Sequence, residues 1–315
     1  MKVVFAGTPE FAVPSLEAII KAGYQVAAVI TAPDKPSGRG LKLQSSPVKT
    51  AALQHGIQVL QPANLKDENF LQQIRNIHPD VMVVVAFRMM PQSLWSIPQK
   101  GTLNLHASLL PQYRGAAPIN WAIINGETET GLTTFFINDV IDTGEIILQK
   151  KLTIGAEETA GELHDRMKAE GAELIAETLH QIESGKVKTT PQAEIGELKP
   201  APKIFKHHCR IDWNQPAERI FNLIRGLSPY PAAFFELTNK DGQLLQVKVF
   251  RSAVIKDSAP APGTIKTDGK SFFQIACADA WLKIEELQPQ GKNRMNISAW
   301  LNGIRHVGEW STVLE

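Results

Sequence analysis

Asn104 and His106 lie two positions apart at the end of an apolar run, at the start of the segment NLHASLLPQYRGAAP (residues 104–118). Side chains at positions i and i+2 of a β-strand project to the same face, so the amide and the imidazole are predicted to lie side by side. An amide can donate a hydrogen bond to a developing oxyanion, and an imidazole can donate or accept a proton near neutral pH. The same two side chains could instead satisfy backbone groups at a strand end, and their spacing alone leaves both interpretations open.

A loop rich in proline and glycine follows the pair and contains Arg114, which indicates a fixed backbone path beside the two side chains. Asp142 occurs in NDVIDTGEI, in a turn between two predicted strands. Its carboxylate could orient His106 and stabilise an imidazolium, as the acidic member of a catalytic triad does. An ordinary aspartate turn is the alternative for Asp142. Together these residues predict a site that stabilises negative charge on an oxygen atom.

The first half of the chain alternates strand-like and helix-like segments. The apolar runs KVVFAG, YQVAAVIT, IQVLQ and DVMVVVAF are separated by the helical patterns PEFAVPSLEAIIKAG, SPVKTAALQHG and DENFLQQIRNI. Continuous apolar strands between helices predict a doubly wound, mostly parallel, Rossmann-like sheet with both faces covered. Ligands bind beyond the carboxyl ends of the strands in such α/β sheets, and Asn104 and His106 are expected at such an end.

The second half changes character after a long helix predicted over about residues 159–184, with Thr159 and Glu162 as a capping box and Gly185 as its end. TTFFIND and GEIILQKKLTI precede it as two predicted strands. Residues 189–205 are rich in proline and lysine and are interpreted as a linker between a domain at 1–188 and one at 206–315. In the second domain, PAERIFNLIRGL predicts an amphipathic helix. Short strands with turns at 241–242 and 268–269 predict a small β-barrel of the OB type, or a sandwich.

Composition limits the class of protein. The chain has 315 residues, of which 43% are hydrophobic, and a net charge of +1, as in a globular protein with a substantial core. Two cysteines without a CxxC motif favour a reducing cytoplasm, and no apolar run is long enough for a membrane span. Residues 201–315 carry 15 lysines and arginines against 11 acidic residues, a balance that favours a polyanionic partner.

Five long stretches resemble the methionyl-tRNA formyltransferases. They are FAGTPEFAVPSLEAI, NLHASLLPQYRGAAPINWAI, DVIDTGEI, RIDWNQPAERIFNLIRGLSPYPAA and LQPQGKNRM, so the similarity covers nearly the whole chain. The resemblance implies transfer of a formyl group from 10-formyltetrahydrofolate to the α-amino group of methionine on initiator tRNA, by a cytoplasmic monomer. It also implies that Asn104, His106 and Asp142 correspond to that family's catalytic triad. The folate site is implied to include Ser108, Leu109, Leu110 and Pro111.

The implied chemistry agrees with the residue types. Attack of the amine on the formyl carbon gives a tetrahedral intermediate, whose negative oxygen Asn104 and protonated His106 would stabilise. Removing one such donor typically costs about 3–4 kcal/mol. Asp142 would keep His106 oriented and charged, and neither a metal nor a covalent enzyme intermediate is required. The run His207-His208-Cys209 could suggest a zinc ligand cluster, but no second cluster completes it.

A basic loop at residues 31–49 is relevant to the binding of tRNA. Its composition is typical of a solvated, mobile loop with four basic residues and one acidic residue. In the family that the chain resembles, this loop inserts into the acceptor stem. The resemblance therefore implies contacts to phosphates or unpaired bases near the 3′ end from Lys35, Arg39 and Lys42.

One segment departs from the family pattern. AFRMMPQSLWSIP has Arg88 where many members have a small residue after an aromatic one, and the segment is one residue shorter than expected. Because this strand end borders the pterin pocket of the family, folate contacts made by side chains are not carried over to Arg88 and its neighbours. Contacts made by the main chain would survive the change.

Three other functions are alternatives. A formyltransferase acting on a small amine, such as glycinamide ribonucleotide or an amino sugar nucleotide, would share the catalytic triad but needs neither residues 206–315 nor the basic loop. A nicotinamide-dependent dehydrogenase would need a GxGxxG loop after the first strand, where the chain has AGTPEFAVP instead. A non-catalytic tRNA-binding protein would have no use for the intact triad.

Overall fold

The computed structural model describes residues 1–37, 42–193, 196–304 and 307–314. The chain divides into two compact units. The first comprises residues 1–115, 129–153 and 164–200, and the second comprises residues 116–128, 154–163 and 201–315. Both units are thus assembled from separate stretches of the chain, and the continuous domain boundaries at 188 and 206 stay a prediction.

A mostly parallel sheet of seven strands forms the centre of the first unit. The strands of this unit are β1 (Lys2–Gly7), β2 (Gln25–Ile30), β3 (Lys35–Ser37), β4 (Lys42–Gln44), β5 (Val59–Leu60), β6 (Val81–Val85), β7 (Thr102–His106), β8 (Glu129–Phe136) and β9 (Ile146–Thr153). Their order in the sheet is β5-β2-β1-β6-β7-β8-β9, parallel as far as β7 and antiparallel from β7 to β9. The predicted doubly wound sheet is confirmed, and β3 pairs with β4 in a separate ribbon.

Except at residues 92–95 and 118–124, where no helix was predicted, the helices up to residue 183 lie in segments predicted to be helical. They are α1 (Val13–Lys21), α2 (Pro47–Gln54), α3 (Glu68–Ile77), α4 (Gln92–Trp95), α5 (Pro118–Ile124) of the second unit, and α6 (Ala160–Glu183). At the start of α6, the Glu162 carboxylate accepts a hydrogen bond from the Thr159 amide (2.8 Å), and the Glu162 amide donates to the Thr159 hydroxyl (3.3 Å). Gly185 follows with φ of +66°, so the predicted capping box and helix end are confirmed.

The core of the sheet explains the apolar runs of the sequence. Every residue of β6 is buried, as are the central residues of β1. Strands covered on both faces need apolar side chains at successive positions rather than at alternate ones. The chain order of the strands reverses between β1 and β6, and such a switch point is where α/β sheets bind ligands. β6 flanks this switch point and β7 is the next strand in the sheet, so the carboxyl ends of both lie near the expected ligand site.

The second unit is an antiparallel, nearly closed barrel with helices α7 (Ala217–Leu227) and α8 (Ile297–Gly303). Its strands are β10 (Ala233–Thr238), β11 (Leu244–Ile255), β12 (Ile265–Thr267), β13 (Phe273–Ala276), β14 (Trp281–Pro289), β15 (Met295–Asn296) and β16 (Ser311–Thr312). The main sheet runs β12-β13-β14-β11-β10-β16. The Thr312 hydroxyl donates to the carbonyl of Gly263 (2.8 Å), just before β12, so the two edges of this sheet approach each other. The predicted barrel is confirmed, and its turns at Gly242 and Gly269 have positive φ.

None of the helices in the described ranges is both long enough and apolar enough to cross a membrane.

Candidate active site

Asn104 and His106 lie at the carboxyl end of β7, where the strand is held on both sides. Asn104 is opposite Val84 of β6 and Phe135 of β8, and His106 is opposite Thr133 of β8. His106 is 6% exposed, whereas Asn104 is partly exposed. Because the strand is regular from Thr102 to His106, the amide and the imidazole are on one face, as the spacing predicts.

The two ring nitrogens of His106 have different partners. Nε2 lies 2.8 Å from the carbonyl oxygen of Tyr113, and since a carbonyl can only accept, Nε2 carries a proton and donates it. Nδ1 lies 3.8 Å from Oδ2 of Asp142. This second distance is too long for a hydrogen bond but short for a charge interaction in a largely buried site. The ring is therefore oriented with Nδ1 towards the carboxylate.

Three consecutive residues of the loop after β7 each hold a different part of the site. The carbonyl of Tyr113 accepts from His106, and the amide of Gly115 donates to Oδ2 of Asp142 at 2.9 Å. Between them, the Arg114 guanidinium donates from Nε (3.1 Å) and Nη2 (2.8 Å) to Oε1 of Gln192. Tyr113 and Gly115 have φ of +60° and +126°, which turns neighbouring polar groups in different directions. The stiff loop predicted from the sequence thus connects the histidine to the carboxylate.

Asp142 is brought to this loop by the turn between β8 and β9. Its backbone has φ of +55°, a left-handed conformation that costs about 1–2 kcal/mol for a residue with a side chain. The Gln192 side chain donates to the carbonyls of Asp142 (2.9 Å) and Gly144 (2.8 Å) and so stabilises the turn. The structure therefore brings all three predicted catalytic side chains to the end of the sheet, although no charge or motif in the sequence indicates Gln192.

Asn104 differs from His106 and Asp142 in the surroundings of its side chain. Within the described ranges, no side-chain or backbone group hydrogen bonds to the Asn104 side chain, which is partly open to solvent. An amide with its N–H groups available next to an oriented imidazole can donate to an oxygen that gains negative charge. The Asn104 amide and the His106 imidazole therefore suit a reaction in which a carbonyl group is transferred and its oxygen gains negative charge.

Ser108, Leu109, Leu110 and Pro111 follow β7 after Ala107, and several of their polar groups bond within the protein. The Ser108 side chain is fully buried and donates to the carbonyl of Gln112 at 2.6 Å. The Ser108 carbonyl accepts from Thr133 (2.7 Å), and the Leu110 carbonyl accepts from Gln149 (2.9 Å). Only Leu109 and Pro111 of the four are partly exposed. Their arrangement suits a segment that shapes a pocket by packing rather than by polar contacts.

A cavity of about 630 Å³ lies beyond the carboxyl end of β6, lined by residues 63–66 and 88–93. Arg88 lies at its wall, where its guanidinium donates to the carbonyls of Ala63 (3.0 Å) and Pro62 (2.5 Å). The segment that departs from the family pattern is thus held by main-chain carbonyls of the preceding loop. Ala86, at the strand end, is exposed and has φ of +47°.

The residues predicted to contact tRNA are only partly described. Lys35 is exposed in β3, and Lys42 begins β4 opposite Ser37, but the Lys42 side chain and the whole of Arg39 lie outside the described part of the chain. Lys49 forms an ion pair with Asp34 at 2.6 Å. This contact, followed by one from Gln61, lowers the pKa of Asp34 from its ordinary value. The negative charge of Asp34 therefore offsets the positive charge of Lys49.

His207 and His208 lie in the second unit and face each other. The Phe205 amide donates to Nδ1 of His208 (3.0 Å), so a neutral His208 carries its proton on Nε2 and donates it to Nε2 of His207 (3.0 Å). Cys209 is buried, and its burial raises the pKa of the thiol. Among the residues that the structure describes, no group of three or more potential ligands could hold a metal ion.

Comparison with known proteins places this fold in one class. Residues 1–179 match the model of the formyl transferase family, and residues 203–305 match the model of the formyl transferase C-terminal domain. The fold is similar to an N-formyltransferase from Helicobacter canadensis, solved with folinic acid and dTDP-3-aminofucose. That similarity has a TM-score of 0.67 at 21% identity and covers 90% of this chain and 98% of that one. The chain belongs to the formyl transferase family.

Within that class, relatives at about 50% identity are methionyl-tRNA formyltransferases. A methionyl-tRNA formyltransferase from Bacteroides fragilis is 52% identical over 307 residues, which cover 96% of this chain and 95% of the relative. A methionyl-tRNA formyltransferase from Flavobacterium johnsoniae is 48% identical over 304 residues, 96% of each chain.

Proposed function

We propose that this chain transfers the formyl group of 10-formyltetrahydrofolate to the α-amino group of methionyl initiator tRNA, giving N-formylmethionyl-tRNA for translation initiation. The observation that carries the proposal is an identity of about one half to methionyl-tRNA formyltransferases over nearly the full length of both chains. The convergence of an amide, an imidazole and a carboxylate at the end of β7 supports the chemistry.

Asn104, His106 and Asp142 carry the reaction in this proposal. The Asn104 amide, which has no hydrogen-bond partner among the described residues, donates to the oxygen that gains negative charge. Loss of such an interaction typically costs about 3–4 kcal/mol. His106 is oriented by the Tyr113 carbonyl, and its Nδ1 side provides or receives a proton. The Asp142 carboxylate, 3.8 Å from Nδ1, stabilises positive charge on the ring as the amine loses its proton.

The co-substrate is assigned to the carboxyl ends of β6 and β7. The cavity beside Arg88 and the exposed position of Ala86 support this assignment, since both follow the strand next to the catalytic one. Ser108, Leu109, Leu110 and Pro111 contribute to this site mainly by packing, because the Ser108 hydroxyl and the carbonyls of Ser108 and Leu110 are already engaged. When bound, 10-formyltetrahydrofolate supplies the formyl group.

The basic loop is assigned to tRNA. Lys35, Arg39 and Lys42 contact phosphates or unpaired bases near the 3′ end, and the excess of basic residues after residue 200 adds phosphate contacts. The exposure of Lys35 in the β3–β4 ribbon supports its role. Binding is expected to weaken as salt concentration rises, because each phosphate contact releases counterions.

A small-amine formyltransferase remains the closest alternative. The Helicobacter canadensis structure matches 90% of this chain, far more than residues 1–205 could supply, so a C-terminal unit by itself does not indicate a tRNA substrate. The distinction depends on sequence identity, which is 21% to that protein and 52% to the methionyl-tRNA formyltransferase from Bacteroides fragilis.

The function is tested with radiolabelled methionyl initiator tRNA in the presence and absence of 10-formyltetrahydrofolate. We expect formylated methionyl-tRNA only when the co-substrate is present, and no product with glycinamide ribonucleotide or a dTDP-amino sugar as the acceptor. Formylation of either small amine in preference to the tRNA would contradict the proposal. Tight tRNA binding without any formylation would identify a binding protein instead.

We also expect the protein to act as a cytosolic monomer. Cys209 and Cys277 are both free and buried, and burial, together with the nearby Asp279, raises the pKa of the Cys277 thiol to about 12. Unpaired thiols agree with a reducing compartment. Sedimentation velocity with and without tRNA measures the oligomeric state, and a dimer in the absence of tRNA would contradict this expectation.

A further inference from the structure

Gln192 uses all of its hydrogen-bonding capacity next to the candidate active site. Its Oε1 accepts from Nε and Nη2 of Arg114 at 3.1 Å and 2.8 Å. Its Nε2 donates to the carbonyls of Asp142 at 2.9 Å and Gly144 at 2.8 Å. One side chain thus joins the loop after β7 to the turn that carries Asp142.

The chemistry of the four partners determines which way the amide points. A guanidinium can only donate, so the group facing Arg114 must be the amide oxygen. Backbone carbonyls can only accept, so the group facing Asp142 and Gly144 must be the amide nitrogen. No other uncharged side chain of this length offers two donors and a doubly accepting oxygen in this arrangement.

The turn that Gln192 contacts needs such support. Asp142 is left-handed with φ of +55°, and non-glycine residues in that region persist where the surroundings over-determine them. At Gly144, a Cβ would lie 1.6 Å from the carbonyl oxygen of Phe136, so the backbone there passes too close to β8 for any side chain. The backbone carbonyls of these two residues are the ones that the Gln192 amide binds.

The position of the Asp142 carboxylate follows from the conformation of this turn. Its Oδ2 is held by the Gly115 amide at 2.9 Å and lies 3.8 Å from Nδ1 of His106. The Gly115 contact fixes the end of the side chain, whereas the contacts from Gln192 fix its backbone. Losing the backbone contacts would let the carboxylate drift from the imidazole while keeping its charge.

We propose that Gln192 is a positioning residue for formyl transfer: its amide locks the turn at Asp142 and Gly144, and Arg114 locks the amide. This inference rests on the proposed function and adds to it a residue from a segment that the sequence assigns to a linker. Gln192 acts through Asp142 and touches neither His106 nor the transferred group.

Two variants separate the contacts of Gln192. Gln192→Met keeps the length of the side chain but removes every hydrogen bond. Gln192→Glu can still accept from Arg114, but it cannot donate to the carbonyls of Asp142 and Gly144 and repels them instead. We expect kcat for methionyl-tRNA formylation to fall about 10- to 100-fold in both, as when a catalytic group is displaced by about 1 Å. The KM for tRNA should change by less than about twofold, because the contact acts on the chemical step.

Thr189→Ala is the matched control. Thr189 lies on the same segment, and its hydroxyl donates to the Glu145 carboxylate at 2.5 Å, beside the same turn. The control removes a hydrogen bond between the same two stretches of chain without changing the carbonyl contacts of Asp142 and Gly144. Its kcat should stay within about twofold of that of the unmodified protein.

A double-mutant cycle with Asp142→Asn distinguishes positioning from general weakening of the fold. If Gln192 acts through Asp142, Gln192→Met should slow the Asp142→Asn variant by less than about twofold, because interacting residues are not additive. Equal fold-losses in both backgrounds would overturn the proposal, and so would a kcat of Gln192→Met or Gln192→Glu close to that of the unmodified protein. Should Gln192→Met not fold, Gln192→Glu alone decides. Absence of formylation by the unmodified protein would instead contradict the proposed function.

Discussion

Histidines occupy two contrasting settings in this protein. His106 is buried, with one ring nitrogen donating to a carbonyl and the other facing the Asp142 carboxylate. His207 and His208 face each other near the surface of the second unit, and the remaining acceptor of His208 is taken by the Phe205 amide. The second pair bond to each other and to a backbone amide, whereas His106 lies between a backbone carbonyl and a carboxylate. The partners of an imidazole, rather than its presence, indicate where proton chemistry occurs.

The largest difference between the two settings is expected on substitution to alanine. His106→Ala should lower the turnover number for formylation about 10³-fold, because it removes the proton-transfer group at the site. His207→Ala should change the turnover number by less than about twofold. Steady-state formylation and filter binding of tRNA measure both, and tRNA affinity should be unchanged in either variant. Comparable losses of turnover in the two variants would refute the contrast.

Asp142→Asn should have the next largest effect. The asparagine oxygen can still accept from the Gly115 amide, so the geometry is kept while the charge beside Nδ1 of His106 is lost. We expect kcat to fall about 10²-fold with little change in the KM for tRNA. Glu145→Gln, three residues later and exposed, is the control for loss of a carboxylate near this turn. A kcat for Asp142→Asn equal to that of the control would exclude the role of its charge.

The basic loop should respond in binding rather than in chemistry. Arg39→Ala and Lys35→Ala are each expected to raise the KM for methionyl-tRNA several-fold and to leave kcat at saturating tRNA unchanged. Each should reduce the magnitude of the slope of log affinity against log salt concentration by about 1, the amount expected for the loss of one phosphate contact. Binding titrations at four salt concentrations measure the slope. An unchanged slope in Arg39→Ala would remove that residue from the tRNA contacts.

The smallest expected effect concerns stability at acidic pH. Burial, and then charge on His207, lower the pKa of His208 below its ordinary value. The folded protein therefore binds fewer protons than the unfolded chain, and this contribution is complete above about pH 6.5 and is lost as the pH falls. The partial exposure limits the loss in unfolding free energy to less than about 1 kcal/mol. Denaturant titrations at pH 7 and pH 5 should show a larger decrease for the unmodified protein than for His208→Gln.

The sequence predicted those features of the site that depend on local pattern. The two-residue spacing of Asn104 and His106, the apolar runs and the Thr159–Glu162 capping box each depend on neighbours in the chain, and the structure confirms the strand, the sheet and the helix start. The sequence also predicted that Asp142 lies in a turn between two strands. Its approach to His106 was one of two interpretations of the residue types, and the family resemblance implied it.

The contacts that Gln192 and its segment make with distant stretches of the chain were not predicted. Gln192 is 50 residues from Asp142 and lies in a segment whose proline and lysine content is typical of a linker. That segment nevertheless pairs with β9 through Thr190, and its Lys199 carbonyl accepts a hydrogen bond from the Tyr113 amide. Composition reports the average behaviour of a segment, whereas these contacts depend on where the rest of the fold presents carbonyls and amides. The short ribbon of β3 and β4 was missed because its strands have only three residues each.

A crystal structure of the protein with a stable folate analogue that carries its formyl group on N10, as the co-substrate does, tests the central claim most directly. The account predicts the formyl oxygen within about 3.5 Å of the Asn104 amide nitrogen, with the His106 imidazole beside it. A formyl group more than about 6 Å from both side chains, beyond the reach of one bridging water, would contradict it.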